Sequence, residues 1–217
     1  MSDEELKVDM ENQLVKARLH GLFPTPMMET HIGRSFYDEE IEAIDRLSKN
    51  SRMNVGNWIS ENQNVLEDEN LLDLRHVCVN VLTNFVFQVY RPKNKVIPYI
   101  TQSWINVTHP GQHHHKHNHP NSFLSGVLYI DVDETRDSIN FYNDTYQQIR
   151  IASDDTNIFT AISVQTPIAT GKILVFPSSL SHTVDTVETG KPRISIAFNS
   201  FLKGEIGDTV YPMALEL

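Results

Sequence analysis

The chain of 217 residues has a single cysteine, Cys78, which excludes an intramolecular disulfide and makes a reducing compartment the default. Basic residues are also scarce: 18 lysines and arginines stand against 28 aspartates and glutamates, for a net charge of −10. Phosphate contacts need clustered cations, so nucleic acid is not an expected partner. No apolar run approaches the roughly 20 residues that cross a bilayer, and Met1-Ser-Asp-Glu-Glu-Leu-Lys7 has no apolar signal core. The expectation is a cytoplasmic protein with no membrane partner. Internal repeats are missing as well, and the length with 40% hydrophobic residues suits one domain of substantial core.

Histidine, by contrast, is abundant and unevenly placed. Of ten, six fall between 109 and 119, in His109-Pro-Gly-Gln-His-His-His-Lys-His-Asn-His119; His20, His31 and His76 precede them and only His182 follows. In an extended strand residues two apart share a face. His113, His115, His117 and His119 would then point one way and His114 the other. Two imidazoles at i and i+2 make a pincer for a first-row transition metal, and His182 is the remote residue that could close the site. A solvated His-rich loop would explain the tract alone equally well.

Periodicity divides the chain. Residues 1–21 read as a polar arm, and Leu22-Phe-Pro-Thr-Pro26 as an edge or entry segment, since prolines exclude helix interior. Ser35–Asn50 has a helical stripe of Phe36, Ile41, Ile44 and Leu47, with Asp38, Glu39 and Glu40 in the first turn. Residues 51–69 read as a loop, with Trp58 packing back on the core. From Asn70 to Tyr90 the positions Leu71, Leu74, Cys78, Leu82, Phe85 and Val89 repeat at helical intervals; Cys78 on that stripe is a small core residue.

Thereafter the pattern is that of short strands: Val96–Val107, Phe123–Asp131, Ser138–Tyr142, Gln147–Ala152, Ile158–Thr166, Lys172–Phe176 and Arg193–Leu202. The fold expected is mainly β, a sandwich or jelly roll behind an N-terminal helical layer. Its parts would be the arm at 1–21, a mainly helical layer at 22–95, the jelly-roll core at 96–203 and a C-terminal extension at 204–217.

A second informative stretch begins eleven residues after His182. Strand parity puts Arg193, Ser195, Ala197 and Asn199 on one face and Ile194, Ile196 and Phe198 on the other. An inward guanidinium needs a counter-charge. A small dicarboxylate would supply it, and so would a structural Asp or Glu.

Together these stretches resemble the 2-oxoglutarate and Fe(II)-dependent oxygenases, in particular a subgroup of marine bacteria and cyanobacterial viruses. The resemblance rests on Leu22-Phe-Pro-Thr-Pro26, Ser103-Trp-Ile-Asn106, His117-Asn-His-Pro-Asn-Ser122, Ser125-Gly-Val-Leu-Tyr129, Leu174-Val-Phe-Pro-Ser178, His182 and Arg193-Ile-Ser-Ile-Ala-Phe-Asn199, in that order. It implies a double-stranded β-helix that binds Fe(II), 2-oxoglutarate and O2 and couples oxidative decarboxylation, giving succinate and CO2, to attack on an unactivated C–H bond. The usual outcome is hydroxylation. It further implies His117, His119 and His182 as metal ligands at the catalytic centre, Arg193 with Ser195 on the distal carboxylate of the co-substrate, and Tyr129 and Asn106 as further candidates for that pocket.

Where the superfamily carries His-x-Asp or His-x-Glu, this sequence reads His117-Asn118-His119. The site is then three-histidine, or a carboxylate comes from Asp144 or Asp185, or a water takes the place, as in some relatives of the wider superfamily. His115 with His117 is the alternative register. His109, His113 and His114 are expected in the loop. Two other classes stay open: a cupin-like metalloenzyme with no co-substrate, and a non-catalytic jelly-roll module. The primary substrate, small molecule or peptide, is set by loops around the mouth; residues 51–69 and His109–Gln112 are lid candidates. An open sheet edge or the helical layer leaves room for a homodimer.

Overall fold

The structure is a computed structural model that describes residues 20–144, 149, 151, 157–188, 190–207 and 215–217. The strand expected at 147–152 and most of the N-terminal arm lie outside the described residues. Two antiparallel sheets form the body. The larger has the order β1-β9-β6-β11-β4-β3-β2, with β12 (Leu215–Glu216) against β11; the smaller has the order β5-β10-β7-β8. Here β1 is Met28–His31, β2 Ser51–Met53, β3 Trp58–Ser60, β4 Val96–Thr108, β5 His114–His117 and β6 Leu124–Asp131. β7 is Ser138–Tyr142, β8 Ser163–Pro167, β9 Lys172–Pro177, β10 His182–Val184 and β11 Arg193–Ile206. This is the jelly roll expected, mainly β, with two α-helices packed on it among the described residues.

The larger sheet is apolar on both faces in its middle, and strand alternation sorts the two faces. Leu124, Leu128 and Ile130 of β6, Ile173 and Val175 of β9 and Ile196 and Phe198 of β11 join the helical layer in one core. Val127, Tyr129, Leu174 and Phe176 face the other way and meet Ile139 and Phe141 of the smaller sheet in a second core. Gly126 is required by the first of these faces, because a Cβ there would land on the Phe198 ring.

The helical layer is α1 (Asp38–Ser48) and α2 (Leu72–Val89). On α2 the buried stripe is Leu74, Cys78, Val81, Leu82, Phe85 and Val86. Val89, expected on it and the last residue of the helix, is 41% exposed. On α1 the inward residues are Glu40, Ala43 and Ile44, while Ile41 faces outward. Glu40 is buried because it is neutralised: its two oxygens take Arg34 at 2.6 and 2.8 Å, and one also accepts the Tyr37 N–H that opens the helix.

Several boundaries depart from the sequence reading; the strand expected at Ile158–Thr166, for instance, starts only at Ser163, after a turn at 158–160. Residues 51–69 are not a loop: β2 and β3 form a hairpin that extends the larger sheet through Trp58↔Val107 and Ile59↔Asn106, and two turns of 3-10 helix follow at Val65–Glu67 and Glu69–Leu71. Each of these elements is three residues long, too short for a periodicity to show. The first strand begins after the Pro24–Pro26 segment, at Met28, where the N–H groups needed for pairing with β9 return. β11 runs on to Ile206, across the boundary expected at 203.

Candidate active site and metal centre

One pocket between the two sheets is lined at one end by His114, His117, His119 and His182 and at the other by Asn106, Tyr129, Arg193 and Ser195. Strand pairing explains both ends. On the smaller sheet β10 lies between β5 and β7, with His182 opposite His117 on one side and Phe141 on the other. On the larger sheet Ser195 of β11 pairs with Asn106 of β4 and with Tyr129 of β6. Those three residues therefore share one rung and one face, and Arg193 follows two residues along.

At the histidine end, one side-chain nitrogen from each of His117, His119 and His182 lies within 4.8 Å of the other two. Two of the three rings are oriented by the backbone. His117 Nδ1 sits 2.7 Å from the His115 carbonyl and His182 Nδ1 3.0 Å from the Leu180 carbonyl, leaving Nε2 of each as the free nitrogen. The backbone N–H of His119 donates to the Ser178 carbonyl at 2.9 Å. Ser178 belongs to a buried chain in which its hydroxyl meets that of Ser125 at 2.8 Å and Ser125 donates to Asn199 at 2.9 Å. Phe176 sets its edge against the His182 ring at 4.9 Å.

These imidazoles are neutral over the ordinary pH range. Burial first, and then the neighbouring His117, push His119 down to about 4 and His182 to about 3. His117 is also lowered by burial, against the opposing effect of the His115 carbonyl. Neutral nitrogens converging on one point are what a divalent transition metal requires. Neither carboxylate considered from the sequence joins the set. Asp185 is engaged by Ser138 at 2.8 Å, Asn140 at 2.7 Å and Gln165 at 3.2 Å. Asp144 pairs on the surface with Lys116 at 2.5 Å, which holds its carboxyl below the usual range. Among the described residues the groups that could hold a metal ion consist of histidines only.

The other end carries a buried charge. Arg193 donates to Asp137 Oδ1 at 2.8 Å and to the Asp185 carbonyl at 3.0 Å, with both charged side chains about 95% buried (4% and 5% exposed). The structural counter-charge that the sequence left open as an alternative is thus present, and it is Asp137. Nothing in the acidic turn 131–137 singles that residue out. Ser195 is 8% exposed; Asn106 accepts from Asn57 at 3.2 Å. The Tyr129 hydroxyl is buried with no hydrogen-bond partner, and burial raises it well above the usual phenol range. A buried donor left open beside a guanidinium is the position an anionic ligand would satisfy.

The structure also corrects the placement of His114. Strand parity sets it opposite His117, but the β5–β10 pairing is irregular: His117 faces His182 while His114, three residues back, faces Val184. The irregularity turns His114 inward, where its ring stacks on that of His117 at 4.3 Å. Burial and the adjacent histidines lower it to about 2.

Comparison with known proteins agrees with this geometry. Residues 102–199 match the model of a family described as "Putative 2OG-Fe(II) oxygenase". The matched stretch is an iron(II)- and 2-oxoglutarate-dependent oxygenase domain, which makes the chain an oxidoreductase and Fe(II), 2-oxoglutarate and O2 its cofactors. Among solved structures, the chain is similar to a prolyl hydroxylase of Trichoplax adhaerens in complex with a hypoxia inducible factor peptide fragment (13% identity, 93% of this chain and 94% of that one, TM-score 0.56). It is also similar to HygX of Streptomyces hygroscopicus with nickel, 2-oxoglutarate and hygromycin B bound (11% identity, 92% and 87%, TM-score 0.55). A third is a prolyl-4-hydroxylase of Pseudomonas putida (13% identity, 81% and 92%, TM-score 0.51). At these identities the likeness is one of fold. No curated protein matches the chain in sequence.

Proposed function

We propose that the protein is a dioxygenase that hydroxylates a small molecule or a peptide at the mouth of the jelly roll, releasing succinate and CO2 from 2-oxoglutarate. His117, His119 and His182 hold Fe(II), and Arg193, Ser195 and Tyr129, with Asn106 beside them, receive the co-substrate. The observation that carries the assignment is the pairing of two unlike ends in one pocket, a set of neutral imidazoles facing a buried guanidinium and an unpartnered phenol.

When bound, the iron supplies the oxygen chemistry that activates a C–H bond. The chain's own residues orient the reactants. The His115 and Leu180 carbonyls fix the ring orientation of two ligands; Ser195 and Tyr129 offer hydroxyls toward a carboxylate; Phe176, Val127 and Ile139 line the pocket with carbon and limit water. Similarity in fold to a prolyl hydroxylase in complex with a peptide fragment and to HygX with hygromycin B bound keeps both substrate classes in view, and the fold leaves the choice to the mouth. A cytoplasmic setting fits the single cysteine; among the described residues no helix is long and apolar enough to cross a membrane. The motif order supports placement in the marine bacterial and viral subgroup. The 96–203 core with its helical layer is read as one domain, because the helices share a core with β6, β9 and β11.

Anaerobic titration of Fe(II) with and without 2-oxoglutarate tests the assignment. A visible charge-transfer band that needs both additions, and that weakens in Arg193→Ala and in Tyr129→Phe, is the expected result. A second reading is favoured by one observation, the Arg193–Asp137 pair, which already neutralises the guanidinium: a cupin-like metalloenzyme with no co-substrate. It predicts tight metal binding with no band in any variant.

A further inference from the structure

The proposed site uses two histidines of the tract, His117 and His119, with the remote His182, and leaves their neighbours without a task. Two of these belong to a second set: side-chain nitrogens of His114, His115 and His117 also lie within 4.8 Å of one another. His117 is common to both sets. Its Nδ1 is occupied by the His115 carbonyl, so the same Nε2 serves either set, and one lone pair binds one ion at a time. The two sets are therefore alternatives for a single ion.

They differ in depth. The inner set includes His182, buried at 5% exposed, with His117 and His119 half-buried, whereas all three residues of the outer set are half-buried on the short strand β5. His115 has its Nδ1 against the Val55 carbonyl at 3.2 Å, so its Nε2 is free. The rings form a continuous path: His114 lies 5.4 Å from His115 and 4.3 Å from His117, and His117 lies 4.3 Å from His182 and 5.0 Å from His119.

We propose that His114, His115 and His117 form an entry site for the divalent metal, from which the ion passes inward by exchanging His114 and His115 for His119 and His182 while it stays on His117. The assignment rests on the reading of His117, His119 and His182 as the resting ligands. Two neutral imidazoles leave as two bind, so the transfer releases no net proton and changes no oxidation state. Its advantage is kinetic. A hydrated ion entering a buried site must shed water before new donors are in reach, and an intermediate set of imidazoles divides that loss into steps.

Stopped-flow binding of Co(II) to the full-length apoprotein, read from cobalt visible absorption, tests the transfer without any turnover. In the double variant His114→Gln/His115→Gln the expected result is one Co(II) bound with the wild-type dissociation constant, but with association and chelator-driven release both slowed about fivefold or more, since a way-station accelerates both directions and leaves the end point unmoved. His182→Gln is expected to hold Co(II) more weakly with an altered spectrum, and to lose it when the double substitution is added. Unchanged rates in the double variant would overturn the entry site, as would a loss of equilibrium affinity, which would make His114 or His115 a resting ligand. Wild-type affinity and spectrum in His182→Gln would instead overturn the inner assignment, a separate failure.

Discussion

The two ends of the pocket are built in opposite ways. The histidine end comes from short strands of the smaller sheet, one of four residues and one of three, joined by an irregular pairing. Its donors are neutral and one nitrogen of each lies within 4.8 Å of the others. The arginine end comes from the middle of the larger sheet, where β11 runs antiparallel to β4 and β6 over long registers, and its charge is already matched by Asp137. A binding site for an exchangeable ion can rest on a weakly paired edge, because the ion itself supplies cohesion when it arrives. A buried guanidinium cannot be left waiting, so the fold satisfies it in advance.

The largest effect should follow from cutting the histidine end. His182→Ala is expected to reduce metal affinity by more than the roughly 10–100-fold typical of losing an outer partner, measured by equilibrium Co(II) titration, with activity abolished. Next comes Arg193→Ala. It strands a buried carboxylate, and removing one partner of a buried ion pair costs about 3–5 kcal/mol, to be read as a lowered midpoint in urea. If stability is unchanged, the two ends are not as different as described.

Asp137→Asn sharpens the comparison from the other side. With the counter-charge gone, Arg193 is free for an incoming carboxylate, so 2-oxoglutarate should bind several-fold more tightly in calorimetry although the apoprotein melts lower. The histidine end predicts a pH dependence of its own. His119 and His182 titrate near 4 and 3 when folded, against an ordinary value of 6.5. Between 6.5 and about 4 the unfolded chain therefore takes up protons the folded apoprotein refuses, and stability is lost as pH falls through that window. Thermal melts of the apoprotein should show it, with a shallower slope in His182→Gln. The smallest effect is Tyr129→Phe: its hydroxyl has no protein partner, so the melting temperature should stay put while co-substrate affinity falls by about 1 kcal/mol, one hydrogen bond.

Much of this was legible from the chain. Alternation along Arg193–Asn199 placed Arg193, Ser195 and Ala197 on the pocket side and Ile196 and Phe198 in the core, because a strand has a period of two whatever surrounds it. The amphipathic stretch 70–90 announced α2 for the same kind of reason. His114 was misread because parity assumes regular pairing, and the irregularity against Val184 is a property of two strands 65 or more residues apart. Asp137 was missed since three aspartates share its turn and only the register of β11 shows which one meets Arg193.

By itself the sequence determined which side chains were available and which face of each strand they occupy: the histidine tract with its remote partner, the arginine strand and the apolar alternation behind both. Local periodicity decides those features, and it is written residue by residue. Only the tertiary structure decided that His182 stands opposite His117, that Ser195, Asn106 and Tyr129 form one rung, and that Arg193 is neutralised by Asp137. Each joins strands distant in the chain, and their register is set by how two cores close together, a condition no single segment contains.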